Sequence, residues 1–301
     1  MESMAKGMAD VADQVKRSTG RKLPPLPVKT EFLGLCDGGC RCNIVLHTYE
    51  DGTQKQTGCK CEEFARLKAM QRGHKKRQFI KQSKIPYSKH QAKFEKYTVK
   101  DNKHQDLAKR VAMNYADKFD ANYKAKADLR VVEKYASDEN ISLEEANEKL
   151  GMNASEDADD IKTNLILMGT PGTGKTMLSS AIFYHVADLE YKCFFIESTT
   201  FIEMLKDSFQ DKERRYKLMR FIEDADLLIV DDIGTSFNSP WAVEQFKMLT
   251  DMRQGKFTIY TTNLTPNEFF NDTSLHRIYS RMNQNAYLLE MNFEDNRIKG
   301  S

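Results

Sequence analysis

The sequence predicts an α/β fold, a parallel five-stranded sheet set between helices, preceded by a small cysteine-rich region and a helical connector. Three observations carry this. Short apolar runs recur at Asn164 to Met168, Lys192 to Glu197, Asp226 to Asp232, Phe257 to Asn263 and Ala286 to Met291, with helical spacing between them. The first run passes directly into Gly169-Thr170-Pro171-Gly172-Thr173-Gly174-Lys175-Thr176, a complete G-x-x-x-x-G-K-[ST] stretch. Five of the six cysteines fall between Cys36 and Cys61. The expected division is 1–85 for the cysteine-rich region with a basic linker, 86–160 for the helical connector and 161–301 for the α/β domain.

In 301 residues, 40% apolar content is enough for a sizeable core, and the net charge is only +2. That total hides a segregation. Between Phe64 and Phe94 there is no acidic residue, whereas Ser137 to Asp160 carries nine Asp and Glu against a single Lys, Lys149. No run approaches the ~20 apolar residues of a membrane span. The stretch Met1 to Gly20 lacks the apolar core of a signal peptide. A cytosolic protein with no membrane partner is therefore expected.

Taken in order, residues Met1 to Lys22 are polar, and the three prolines that follow break regular structure. Next come Cys36, Cys40 and Cys42, an alternating stretch Ile44 to Tyr49, a Glu50-Asp51-Gly52 turn, and Cys59 with Cys61. In a reducing compartment such a cluster reads as a metal site, and tight turns beside glycines suit tetrahedral Zn²⁺. Five cysteines and His47 compete for about four positions. The alternative is a small β-hairpin with free thiols.

After Cys61 a helical pattern enters the basic belt, which ends at Ile85-Pro86. It reads either as a solvated linker or as a surface for phosphate backbones or an acidic partner. Leu107, Val111, Met113, Tyr115 and Phe119 support a helix, and Ala121 to Leu150 continues helically. Within it Ser142 stands as an N-cap before Glu144 and Glu145. Gly151 to Asp160 is an acidic connector with no evident chemistry.

The loop Gly169 to Thr176 reads as a nucleotide site. Its glycines let successive N–H groups and the N-terminus of the next helix point at phosphates. Lys175 is placed to neutralise the β/γ-phosphates of ATP, and Thr176 to ligate Mg²⁺. After the second strand, Thr199 to Lys206 forms a helix with Ser198 or Thr199 as cap. The third strand ends in Asp231 and Asp232. Asp231 is placed to hold Mg²⁺ and Asp232 to orient or activate the attacking water. The fourth ends in Asn263, within reach of the γ-phosphate or that water. Arg277 and Arg281 share a helical face at i and i+4, suited to delivering a cation to a neighbouring subunit's site.

This order of motifs, the phosphate loop, LLIVDDIG, TTNL, RIYSRM and NFEDNR, resembles the AAA+ helicase loaders of the DnaC and DnaI type and the related IstB transposition helpers. The resemblance covers about Ile161 to Arg297 closely and the cysteine-rich region loosely. It implies a P-loop AAA+ ATPase core in which Lys175 and Thr176 bind ATP and Mg²⁺, and Asp231 and Asp232 form the Walker B pair. It further implies Asn263 as sensor 1, Arg281 as arginine finger with Arg277 its near alternative, and Arg297 as sensor 2. Asp232 departs from the Glu most common in AAA+ enzymes, although some loaders of this type also carry Asp-Asp, and implies slow hydrolysis; stimulation by DNA or a partner is expected.

The resemblance also implies a bacterial or phage replication protein. Its N-terminal part would hold the hexameric replicative helicase, and its ATPase would assemble with itself and bind single-stranded DNA, in part through Lys206, Lys212, Arg214, Arg215, Lys217 and Arg220. Two other readings stay open: a transposition helper acting on duplex DNA, and a non-hydrolysing ATP-binding protein that sequesters a helicase or loader.

Overall fold

The computed structural model describes residues 27–35, 43–57, 70, 73–74, 77–99 and 102–293. The chain separates into two compact units, Met1–Gln71 and Arg72–Ser301. The first carries a three-stranded antiparallel sheet in the order β1 (Lys29–Leu35), β2 (Asn43–Thr48) and β3 (Gln54–Thr57). The hairpin expected around Glu50 to Gly52 is there, closed by Asp51 accepting from the Thr53 amide at 2.9 Å and hydroxyl at 2.6 Å, with Gly52 at φ 79°. β1, which the sequence did not reveal, completes the sheet by pairing along β2 from Lys29↔Thr48 to Leu35↔Asn43.

The second unit is a three-layer α/β structure. Its sheet is wholly parallel, in the order β5 (Cys193–Glu197), β6 (Leu227–Ile233), β7 (Thr258–Thr262), β4 (Asn164–Met168) and β8 (Ala286–Glu290). Because side chains alternate along a strand, each central strand feeds two cores. Leu165, Leu167, Phe195, Ile229 and Ile259 face one core, together with α1 (Lys103–Asp117), the start of α2 (Phe119–Glu139) and α4 (Lys175–Asp188). Ile166, Phe194, Leu228, Val230 and Tyr260 face the other, with α5 (Ser198–Asp207), α6 (Lys212–Asp224), α7 (Pro240–Met252) and α9 (Thr273–Asn283). The short α8 (Pro266–Phe270) begins with a capping box between Thr265 and Glu268, which satisfies two helix-end donors.

The connector is built onto this unit. α2 and α3 (Leu143–Leu150) share a small core of Val132, Ala136 and Ala146, and Ser142 caps α3 by accepting from the Glu145 amide at 3.2 Å. Lys126 ties the acidic stretch back through Asp159 at 2.8 Å.

Two expectations are corrected. From residue 77 the basic belt is not a solvated linker: Phe79 and Ile85 are buried, and Phe79 meets Phe221 edge-on at 5.0 Å. Ser83 and Lys84 cover the open edge of β5, where the Lys84 amide donates to the Phe195 carbonyl at 2.8 Å and Ser83 Oγ accepts from the Phe195 amide at 3.0 Å. An uncovered parallel edge strand would leave these groups without partners. Nor does Ser198 or Thr199 cap α5. Ser198 lies inside the helix and the flanking Glu197 makes no side-chain cap bond.

Candidate functional site

The loop 169–176 joins β4 to α4 at the carboxyl end of the sheet. Gly169, Gly172 and Gly174 take φ values of 148°, 82° and 91°, conformations that side chains rarely adopt. At Gly169 a Cβ would also fall 2.3 Å from the Met291 carbonyl oxygen, because the chain after β8 runs against the loop. Lys175 curls back so that its Nζ donates to the carbonyls of Gly169 at 2.7 Å and Thr170 at 2.8 Å. No side chain caps the N-terminus of α4, where a helix end carries amides without intrahelical partners. Backbone donors, a dipole end and a lysine on one loop suit an anionic phosphate chain.

β6 carries the acidic half of the site. Asp231 is buried and accepts from Thr176 Oγ1 at 3.0 Å and from Thr261 Oγ1 at 2.6 Å. Burial pushes its carboxyl up to about 6, against the opposing pull of these two hydroxyls. Thr176 and Asp231 thus already converge on one point, and Mg²⁺ bound by phosphates needs only one or two such protein oxygens. No group of three or more His, Cys, Asp or Glu that could hold a metal exists among the described residues.

At Asp232 the backbone leaves the strand conformation. The β6–β7 register slips between Val230 and Ile233, and Asp232 sits at φ 57° in the left-handed region. Its amide donates to Thr261 Oγ1 at 2.8 Å, its carbonyl accepts from Ser198 Oγ at 2.7 Å, and its Oδ1 accepts from Asn263 Nδ2 at 2.9 Å. Glu197 lies opposite Asp231 in the sheet, and its carboxyl is raised by burial and by the charge of Asp232.

As site residues the sequence singled out neither Glu197 nor Thr261, and it read Ser198 only as a helix cap. The signal for Thr261 was its place at the end of a strand, two residues before Asn263. For Ser198 and Glu197 only the pairing of β5 with β6 brings them in. Tyr97 was also missed.

Arg277 and Arg281 stand on the exposed face of α9, where Arg281 Nε donates to Asp251 of α7 at 2.9 Å. On α6, Lys212 and Arg214 are exposed, while Lys217 pairs with Glu213 at 2.6 Å and Arg220 with Asp224 at 3.0 Å. Arg215 is drawn inward to Gln245 at 3.2 Å. Lys206 is exposed at the end of α5. Cys36, Cys40, Cys42, Cys59, Cys61 and Arg297 lie outside the described residues. His47 engages Thr30 through Nδ1 at 3.0 Å and Thr57 through Nε2 at 2.7 Å.

A phosphate loop on the first strand of a wholly parallel five-stranded sheet, with paired carboxylates at the end of the strand two places away, defines a P-loop nucleotide-binding protein. The chain belongs to the IstB-like ATP binding protein family, whose profile matches residues 90–301. It is 30% identical over 107 residues to the replicative helicase loader DnaI of Bacillus subtilis (strain 168), covering 35% of this chain and 34% of that one. It is likewise 30% identical over 141 residues to an insertion sequence IS232 ATP-binding protein of Bacillus thuringiensis subsp. berliner, covering 45% of this chain and 56% of that one. These matches span between about a third and about half of the relatives' own length. Among solved structures, the DnaC helicase loader aligns with a TM-score of 0.48 at 18% identity, over 68% of this chain and 99% of that one. A DnaI structure aligns with a TM-score of 0.49 at 19% identity, over 69% and 95%. No helix among the described residues is long and apolar enough to cross a membrane.

Proposed function

We propose that the protein is an ATP-dependent loader that binds a replicative DNA helicase in the cytoplasm of a bacterium or phage-infected cell and helps place it on single-stranded DNA. The observation that carries this reading is the solvent face of α5, α6 and the turn between them. Tyr216 is 63% exposed on α6, where Lys212 and Arg214 are exposed too, and Lys206 is exposed at the end of α5. Phe209, in the turn between the helices, is 60% exposed with its ring edge-on to Trp241 at 5.2 Å. Lys212, Tyr216 and Arg220 recur every four residues and so share a stripe. Exposed rings among cations suit unstacked bases, which offer π-faces that a duplex keeps closed.

When bound, ATP with Mg²⁺ supplies the electrophilic γ-phosphate and the charge that neutralises its oxygens. Thr176 and Asp231 would hold the metal, and Lys175 would exchange the Gly169 and Thr170 carbonyls for phosphate oxygens. Asp232, oriented by Asn263, accepts a proton from the attacking water. Arg281, or Arg277 one turn away, enters the site of an adjacent copy, where charge develops in the transition state. Arg297 acts as a second sensor of nucleotide. Assembly is favoured because ATP binds the assembled state better than the free one.

The N-terminal unit holds the helicase, and its cysteines hold Zn²⁺. Since both ring nitrogens of His47 are engaged with threonines, the ligands are drawn from Cys36, Cys40, Cys42, Cys59 and Cys61. Metal analysis of the purified chain should return about one zinc per protein, and none after all five are changed to Ser.

The loader reading is tested by DNA affinity with an ATP analogue present and by capture of the purified hexameric helicase. Preference for single strands together with capture supports it. Preference for duplex without capture favours a transposition helper, a reading that the similarity to the IS232 protein keeps open.

A further inference from the structure

Tyr97 reaches the phosphate loop from the connector. Its ring is 4% exposed and its hydroxyl donates to the Thr173 carbonyl at 3.1 Å, across 76 positions of chain. Its ring edge occupies the space a side chain at Gly174 would need: a Cβ there would lie 2.6 Å from Cε2. Tyr97 itself is fixed on both sides. Its amide closes a 3-10 turn on the Phe94 carbonyl at 3.1 Å, its own carbonyl accepts from Lys109 of α1 at 3.3 Å, and Phe94 is buried beside it. Burial pushes the phenol up to about 12, so it stays a donor at any physiological pH.

The peptide that joins Thr173 to Gly174 is planar and trans, so its carbonyl and its N–H point in opposite directions. Tyr97 Oη holds the Thr173 carbonyl on its own side, so the Gly174 N–H points to the opposite side, away from the connector. Without such a hold this peptide rotates readily, because Gly174 accepts either sign of φ. We propose that Tyr97 is a positioning residue that locks the Thr173–Gly174 peptide, so that the Gly174 amide is pre-set to receive a phosphate oxygen. The inference rests on the reading of 169–176 as the nucleotide site. It adds a group no phosphate-loop motif contains, carried by the strap that leads back toward the N-terminal unit.

The test uses the full-length chain, a fluorescent ADP as reporter and inorganic pyrophosphate as competitor, at a temperature well below melting. Pyrophosphate reports contacts to phosphate alone. Tyr97→Phe keeps the ring and removes only the donor. It should weaken ADP and pyrophosphate by the same factor, about fivefold to tenfold, the worth of one hydrogen bond. Tyr97→Leu, which also clears the space over Gly174, should weaken both further. Pyrophosphate affinity within twofold of wild type in Tyr97→Phe would overturn the inference, even with a lowered melting temperature, because the hydroxyl would then be only a structural tie. A wild-type chain that binds neither ADP nor pyrophosphate would bring down the nucleotide-site reading and this one with it. Normal wild-type binding with an indifferent Tyr97→Phe would bring down this one alone.

Discussion

Asn263 donates from Nδ2 to Oδ1 of Asp232 at 2.9 Å, joining the ends of two adjacent strands. Asp232 itself leaves the strand conformation: its φ of 57° costs about 1 to 3 kcal/mol for a non-glycine residue. Ser198 and Thr261 hold that conformation through the Asp232 carbonyl and amide. In the reading proposed above, the strained acid oriented by an amide is the carboxylate for water, and the buried acid shared by two hydroxyls is the one for metal.

Asp232→Asn should therefore lower the rate of ATP hydrolysis about a hundredfold or more while leaving ATP affinity within about threefold. Steady-state turnover beside equilibrium binding checks this. A parallel loss of binding would mean that Asp232 shares the metal-holding role of Asp231. Asn263→Ala should reproduce the kinetic defect in milder form, since it removes the orienting group and keeps the acid.

Lys175→Ala should abolish nucleotide binding. Arg281→Ala should leave binding intact and remove DNA-stimulated hydrolysis. The Arg281 bond to Asp251 is a half-exposed surface pair, worth about 1 kcal/mol or less, so the variant should melt close to wild type. Equal loss of binding in both variants would count against a finger acting on a neighbouring copy. Mixing Arg281→Ala with Asp232→Asn subunits gives the complementary check: partial recovery of turnover is expected only if arginine and carboxylates come from different chains.

Arg253 is 1% exposed and donates to the carbonyls of Ile222, Ala225 and Phe257 and to Thr258 Oγ1 at 2.6 to 3.1 Å. It fastens the end of α6 to the start of β7. Arg253→Met keeps the bulk but leaves several buried carbonyls without donors, and should cost about 3 to 5 kcal/mol. In a unit of this size that lowers the melting temperature by about 10 °C. Thermal unfolding followed by circular dichroism decides it, and an unchanged melt would mean that water replaces the guanidinium.

A chain cut at residue 161 should fail to melt cooperatively and should bind a hydrophobic dye. The cut removes Phe94, Tyr97, Tyr115 and Phe119, which share a core with the sheet and α4. A chain beginning at residue 72, where the compact units part, should melt cooperatively and bind ATP, and by the loader reading should lose capture of the helicase.

What the sequence determined by itself is what depends on neighbours in the chain. The phosphate loop, the Asp231-Asp232 pair and the five sheet strands, to within a residue or two at most ends, follow from residue type and short apolar runs, and the Ser142 cap and the Gly52 turn from hydrogen bonds that close over a few residues. Tertiary structure decided what depends on strand order. Only the pairing of β5 with β6 brings Ser198 and Glu197 to the paired aspartates, and diverts Ser198 from the capping its position suggested. Only folding of the connector onto the sheet turns a basic, linker-like stretch into an edge cover and carries Tyr97 to Gly174. The burial of Arg253 is likewise invisible locally, since its partners are carbonyls whose availability is set by where two strands and a helix end. Side-chain periodicity records which face is apolar; it holds no record of which distant backbone will lie against it.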